Sequence, residues 1–251
     1  MDRTRQEKQL SFQNQSRKNY FEGWYFKHVS EDESVILSII PSMMRSDKIE
    51  KAMIQIILAE NVAGDWQIQT EELQFPISDF RDAVEPFELK IGNNIFSKGG
   101  ISLHINSSNM KIDGDISFEP FTMLPTTKMS PTIMGPFSYL PFMECIHGIV
   151  SLHHYLKGAL QINERTISFN RGIGYIEKDW GQSFPKYYIW MQSNHFTKRP
   201  SCLFFSWADI PLGPYQFPGF ICHLWINGQH HRFATYNRSI CTIEEMSEDR
   251  A

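Results

Sequence analysis

Large apolar side chains alternate with smaller or polar ones through most of the chain, and stripes of helical spacing longer than about eleven residues are almost absent. This period of two predicts strands over 22–29, 34–41, 51–59, 65–70, 87–91, 99–106 and 109–118. A second run is predicted over 148–155, 158–163, 166–170, 172–178, 187–194, 202–209, 219–226, 229–236 and 239–243. Turn chemistry separates them: Gly64 lies between Asn61 and Asp65, Gly92-Asn93-Asn94 follows Ile91, and Asn227-Gly228 is a hairpin signal between two apolar runs. Pairing is therefore expected to be local and mostly antiparallel. Helix is expected only in the polar N-terminal arm and in a short turn around 79–85.

Between the two runs, Pro120, Pro125, Pro131, Pro136 and Pro141 exclude a central strand and favour an extended crossover. The expected division is an N-terminal β domain over 20–118, a Pro-rich crossover over 119–141 and a C-terminal β domain over 142–251. Phe121, Met123, Met129, Met134, Phe137 and Phe142 make the crossover apolar enough to pack across both units. The architecture expected is all-β, with two antiparallel barrel or sandwich units side by side.

Aromatic residues form 14% of the chain, led by 19 Phe, which suits sheets and a pocket for an apolar small molecule. Net charge is −4 with the basic residues scattered, so no stripe is present to neutralise a row of phosphates and nucleic acid is not an expected partner. The first twenty residues lack the apolar core of a signal peptide. The greasiest stretch, Val35 to Met44, is broken by Ser38, Pro41 and Ser42 and falls short of the roughly 20 residues needed to span a bilayer. A soluble, cytoplasmic chain is the expectation, with Cys145, Cys202, Cys222 and Cys241 as free thiols. No G-x-S-x-G elbow, P-loop or dinucleotide fingerprint occurs, which removes three common chemistries.

Four segments carry candidate chemistry. Alternation along residues 22–28 puts Glu22, Trp24, Phe26 and His28 on one face. If that face is interior, Glu22 is either a carboxyl kept protonated by burial, as a general acid requires, or half of a buried ion pair with an Arg or Lys. In residues 172–181, Gly172 and Gly174 allow close backbone approach and Glu177-Lys178-Asp179 precedes Trp180. In residues 187–194, Tyr188, Trp190, Gln192 and Asn194 share a face, and amides among aromatic rings need partners, either a loop backbone or a ligand oxygen. Finally, His147, Ile149, Ser151, His153 and Tyr155 are expected on one face with His154 opposite. His147 and His153 lie too far apart along one strand to share a metal ion, and His230-His231 suits a solvated or structural role.

Three separated motifs, YFEGWYFKHVS at 20–30, PFMECIHGIVS at 141–151 and GYIEKDWGQSFPKYYIWMQSN at 174–194, resemble the tocopherol cyclase family. The resemblance implies an all-β fold of paired lipocalin-like barrels, also seen in carotenoid hydratases, and closure of a chromanol ring on a prenylated quinol. Such a reaction protonates a prenyl double bond and lets the phenol oxygen capture the cation, which needs an acid, a dry cavity and electron-rich walls. On that reading Glu22, Glu177 and Asp179 are candidate acids, and Trp24, Trp180 and Trp190 stabilise the cation. Gln192 and Asn194 orient the quinol oxygens, Tyr188 and His153 complete the substrate-binding set, and neither metal nor cofactor is required. Plant cyclases resemble EKNWG where this chain has Asp179, which favours Glu22 first and Glu177 next as the acid. Family members continue with further strands beyond this chain's end, so the second barrel is expected to be incomplete. Trp24, Tyr188 and Trp190 are expected to line one cavity within reach of Glu22 or Glu177. The alternative function is a non-catalytic carrier of an apolar small molecule.

Overall fold

The structure, a computed structural model, describes residues 10–140, 143–197, 200–212 and 215–244. The helical candidate in the N-terminal arm up to residue 9, and the acidic tail from 245, lie outside the described residues.

Strands β1 (Tyr20–Val29), β2 (Val35–Arg45), β3 (Glu50–Val62) and β4 (Asp65–Pro76) form one antiparallel meander. A second meander comprises β5 (Phe80–Val84), β6 (Phe87–Ile91), β7 (Asn94–Ser97), β8 (Gly100–Asn106) and β9 (Lys111–Phe118). Strands β10 (Cys145–Ile162), β11 (Arg165–Ser168) and β12 (Ile173–Gly181) join the two meanders into a 12-stranded sheet. Its order is β4-β3-β2-β1-β12-β10-β9-β8-β7-β6-β5, with β11 beside β10. The sheet curls into a nearly closed barrel: Phe26 on β1, Ile54 on β3, Leu103 on β8 and Leu160 on β10 share one buried core. From the turn between β8 and β9, Asn109 Nδ2 donates to Glu71 Oε2 of β4 at 3.1 Å.

The second sheet is small and open, in the order β13 (Tyr188–Ser193), β14 (Ser201–Leu212), β15 (Tyr215–Ile226), β16 (Gln229–Ala234). The expected Asn227-Gly228 hairpin joins β15 to β16, with both residues at positive φ, 53° and 73°. Among the described residues no ladder connects this sheet to the barrel, and the two share a core that includes Ile149, Tyr175, Phe204 and Trp225. The layering covers β1, β12 and the N-terminal half of β10 on both faces, and β12 is buried at eight of its nine positions.

The all-β expectation holds, with several local corrections. Residues 80–84 are a strand preceded by a 3-10 turn at Ile77–Asp79, not a helical turn, and β7 adds a strand that its four-residue length concealed. The segments expected at 148–155 and 158–163 are one strand, β10, which Gly158 (φ 137°) bends where a Cβ would lie 2.3 Å from the Asp115 carbonyl. Residues 239–243 form no strand, because a 3-10 turn at Thr235–Asn237 and a left-handed Arg238 (φ 65°) turn the chain away from the sheet. Residues 119–140 are irregular apart from a single bridge between Thr122 and His153 and a 3-10 turn at Gly135–Tyr139. Leu124, Ile133 and Met134 from this crossover are buried in the core between the sheets. The barrel draws strands from both sides of the crossover, and the second sheet begins only after Gly181.

Candidate active site

The site is laid out by alternation on β12. Lys178 and Trp180 lie opposite Trp24 and Glu22 of β1 and face the barrel interior with them. Tyr175, Glu177 and Asp179 face the second sheet, together with Tyr25 and Lys27 of β1 and His147 of β10. The glycines give the close approach their positions suggested: a Cβ on Gly174 would sit 2.1 Å from the His154 ring.

On the barrel side, Glu22 and Lys178 form an ion pair with both side chains fully buried. Glu22 also accepts from the Tyr20 hydroxyl, from the Gln13 amide at 2.8 Å and from the Asn14 amide at 3.3 Å. Lys178 sits 5.0 Å from the ring centroids of both Trp24 and Trp180 and donates to the Ser11 carbonyl, while Trp24 Nε1 donates to the Leu10 carbonyl at 2.7 Å. Burial pushes Lys178 down to about 8, against the pull of Glu22. Of the two roles open to Glu22, the structure shows the ion pair: its oxygens are taken up by Lys178, the Tyr20 hydroxyl and the Gln13 and Asn14 amides.

On the outer side, His147 Nδ1 hydrogen-bonds Asp179 Oδ1, and His147 Nε2 lies 3.4 Å from Glu177 Oε2, within ion-pair reach but outside hydrogen-bond geometry. Tyr175 donates its hydroxyl proton to Glu177 Oε2 at 2.6 Å. Burial raises the Glu177 carboxyl above its ordinary range, Asp179 adds repulsion, and His147 and Tyr175 oppose the rise. For His147 burial disfavours the charge, but Asp179 and Glu177 together outweigh it and lift the imidazole to about 10. Burial raises the Tyr175 phenol well above its usual value and Tyr25 to about 12, with a Ser38 contact at 2.9 Å opposing the latter. The result is an imidazolium held by one carboxylate beside a second carboxyl that resists ionisation. This asymmetry can deliver a proton from one group while keeping charge on another.

The remaining sequence candidates divide between the two faces. Trp24 and Trp180 lie on the barrel side and Trp190 on the outer side, edge-on to Tyr25 at 5.4 Å, so Trp24 and Trp190 cannot line one cavity. Tyr188 is 53% exposed and stacks toward Phe184. Gln192 Oε1 accepts from Lys27 Nζ at 2.9 Å, Asn194 is fully buried with its Nδ2 donating to the Gly174 carbonyl at 3.3 Å, and His153 packs on Trp225 at 5.6 Å. Irregular register at 149–154 breaks the expected histidine face: Ser151 and His154 turn inward and hydrogen-bond each other at 2.8 Å. Two surface grooves of about 440 and 600 Å³ run along the barrel, and no residue of the His147 cluster lines either.

Sequence reasoning missed His147, Tyr175, Tyr25 and Lys27 as site residues. Tyr175 was within reach of the alternation that places Glu177 and Asp179; His147 was not, because its partners come from another strand. In the same layer, His147 Nε2, Trp190 Nε1, Asn194 Oδ1 and His195 Nδ1 are buried without a hydrogen-bond partner among the described residues, the pattern of a site that binds something polar. His147, Glu177 and Asp179 also bring one donor atom each within 4.8 Å of one another, a grouping able to hold a divalent ion.

The chain is thus a layered β protein, a nearly closed barrel with a buried acid–imidazole cluster between it and a second sheet. Residues 18–208 match the Tocopherol cyclase-like family, and the chain belongs to it. No curated protein matches the sequence. Among solved structures, an AttH candidate from Nitrosomonas europaea is 13% identical with a TM-score of 0.56, covering 85% of this chain and 68% of its own. CghA, solved with Sch210972, is 11% identical with a TM-score of 0.55, covering 85% and 59%. Kievitone hydratase from Nectria haematococca is 10% identical with a TM-score of 0.53, covering 84% and 63%. At these identities the likeness is one of fold, and this chain spans 59% and 63% of the latter two proteins.

Proposed function

We propose that the protein is an acid-catalysed cyclase acting on a prenylated quinol or a related isoprenoid, with Glu177 as the proton donor. The observation that carries this reading is Glu177 itself: a buried carboxyl whose ionisation is suppressed by burial, oriented by Tyr175 and set beside the His147–Asp179 pair. Membership of the tocopherol cyclase-like family supports the reaction class. Glu177 transfers its proton to the prenyl double bond, a new C–H bond forms, and the tertiary cation lies among the Tyr25, Tyr175 and Trp190 rings. The phenol oxygen then bonds to the cation, and its proton, lost directly or through solvent, balances the one that Glu177 gave, so the reaction is an isomerisation with no net consumption of acid.

The test is turnover of a prenylated hydroquinone by the wild type and Glu177→Gln, with product identified by mass. Glu177→Gln is expected to lower kcat by roughly 100-fold or more, the usual cost of losing a general acid, while the thermal midpoint holds. A product heavier by one water would make the protein a hydratase using the same acid. Tight binding without turnover in the wild type would favour the carrier.

A further inference from the structure

Lys27 is a charged side chain enclosed between the two sheets, 5% exposed, on the same face of β1 as Tyr25. Its Nζ donates to Gln192 Oε1 at 2.9 Å and touches the Gln192 carbonyl at 3.5 Å, both neutral acceptors, and among the described residues it forms no ion pair. This contrasts with Lys178 one strand away, which is buried with a carboxylate against it. An ammonium enclosed without an anion is costly, and such a site persists when a ligand supplies the missing charge.

No group around Lys27 supplies it by contact. Burial lifts the Cys202 thiol to about 12, and Glu177 is turned to the Tyr175 hydroxyl and His147, so among the described residues neither pairs with Nζ. His195 is shifted down by burial, with Lys27 adding to the effect. Lys27 in turn is lowered to about 8 by burial, partly offset by Cys202 and Glu177. In the same layer, Trp190 Nε1 is a buried donor with no acceptor among the described residues. The Trp190 and Tyr175 rings stand at 74° and 66° to Tyr25, forming flat aromatic walls.

We propose that Lys27 anchors an ionisable phenolic oxygen of the substrate, holding the phenol ring among Tyr25, Tyr175 and Trp190 and stabilising it as phenolate. The proposal rests on the cyclase reading and deepens it: Glu177 would act on the alkene while Lys27 prepares the oxygen that captures the cation. Lys27 keeps its proton throughout, and the phenol proton leaves to solvent on binding. Glu177 then regains its proton from solvent after each turnover, so the overall reaction remains an isomerisation.

The probe is 2-geranyl-4-nitrophenol, whose phenolate absorbs in the visible, compared with its methyl ether and with a geranylated benzoate of similar size. The wild type is expected to bind the phenolate about tenfold or more tighter than the ether and to shift the bound phenol's titration to lower pH by about one unit, the scale of one charge-assisted contact. Lys27→Met is expected to abolish the shift and Lys27→Arg to retain most of it, with thermal midpoints confirming folding. The absence of a shift in the wild type overturns the proposal without any variant. Benzoate binding tighter than phenolate, or an unchanged shift in Lys27→Met, overturns it too. Turnover of the prenylated hydroquinone separates the two readings: cyclisation without a phenolate shift defeats the Lys27 assignment alone, and a phenolate shift without cyclisation defeats the cyclase alone.

Discussion

Glu177 and Lys178, adjacent in the chain, are turned by the pleat of β12 into two separate interiors, Glu177 beneath the second sheet and Lys178 inside the barrel against Glu22. Neighbours in sequence thus serve two interiors: Lys178 closes an ion pair within the barrel, and Glu177 joins Tyr175 and His147 between the sheets.

The barrel pair is expected to behave as a coupled unit. Lys178→Met leaves Glu22 enclosed without its counter-ion, and should cost about 3–5 kcal/mol of stability, as breaking a buried pair does. The double variant Lys178→Met/Glu22→Gln should be more stable than Lys178→Met alone, because it removes both charges. Urea unfolding of the four members of this cycle measures the coupling, and additive losses would contradict a buried ion pair.

Asp179→Asn removes the strongest attraction that keeps His147 charged. Burial then dominates and the imidazole titrates at lower pH. The alkaline limb of kcat/KM should move down by about one unit or more, and NMR titration of the His147 ring should follow it. An unmoved His147 titration would show that Asp179 does not hold the proton.

Acid should weaken the fold in a defined window. Burial lowers His28 to about 4, His153 to about 4 and His223 to about 3. Depressed folded-state values mean that the stabilisation is complete above the unfolded value of about 6.5 and is lost as pH falls through the folded values. For fully buried His28 the loss approaches roughly 3 kcal/mol by pH 4. Raised His147 acts oppositely: its contribution is complete below about 6.5 and is lost as pH climbs through about 10. Denaturation between pH 7 and 4 should be shallower in His28→Asn, which keeps a donor for the Leu37 carbonyl; equal slopes would remove His28 from the account.

Dialysis against EDTA should leave turnover of the prenylated hydroquinone unchanged. Asp179 is engaged with His147 Nδ1 and Glu177 with the Tyr175 hydroxyl, so two of the three ligand candidates already hold protein partners. Loss of activity on chelation, restored by zinc or magnesium, would make His147, Glu177 and Asp179 metal ligands.

Strands were readable because alternation survives in every long ladder, and the opposed faces of β1 and β12 follow from the same rule. The choice for Glu22 between acid and ion pair was not readable, since its partner Lys178 lies more than 150 residues away and only the β1–β12 ladder brings them together. The joining of β10 and β12 to the barrel was hidden for the same reason. Proline spacing marks where the chain stops pairing locally, but not which sheet the next strand enters. His147 escaped notice because one imidazole on a strand gains meaning only from the carboxylates opposite it.

The β1–β12 ladder also dictates an order of assembly. Phe21 pairs with Gly181, so this ladder forms only after a long loop has closed, an entropic cost that slows folding. Until then β1 is the exposed edge of the β1–β4 meander, with unpaired amides and carbonyls open to other chains. Glu22 and Lys27 lie on that edge and are hydrated during this interval, and charges at such positions discourage intermolecular pairing. The same two side chains that end buried in separate interiors therefore guard the nascent chain against aggregation while it waits for β12.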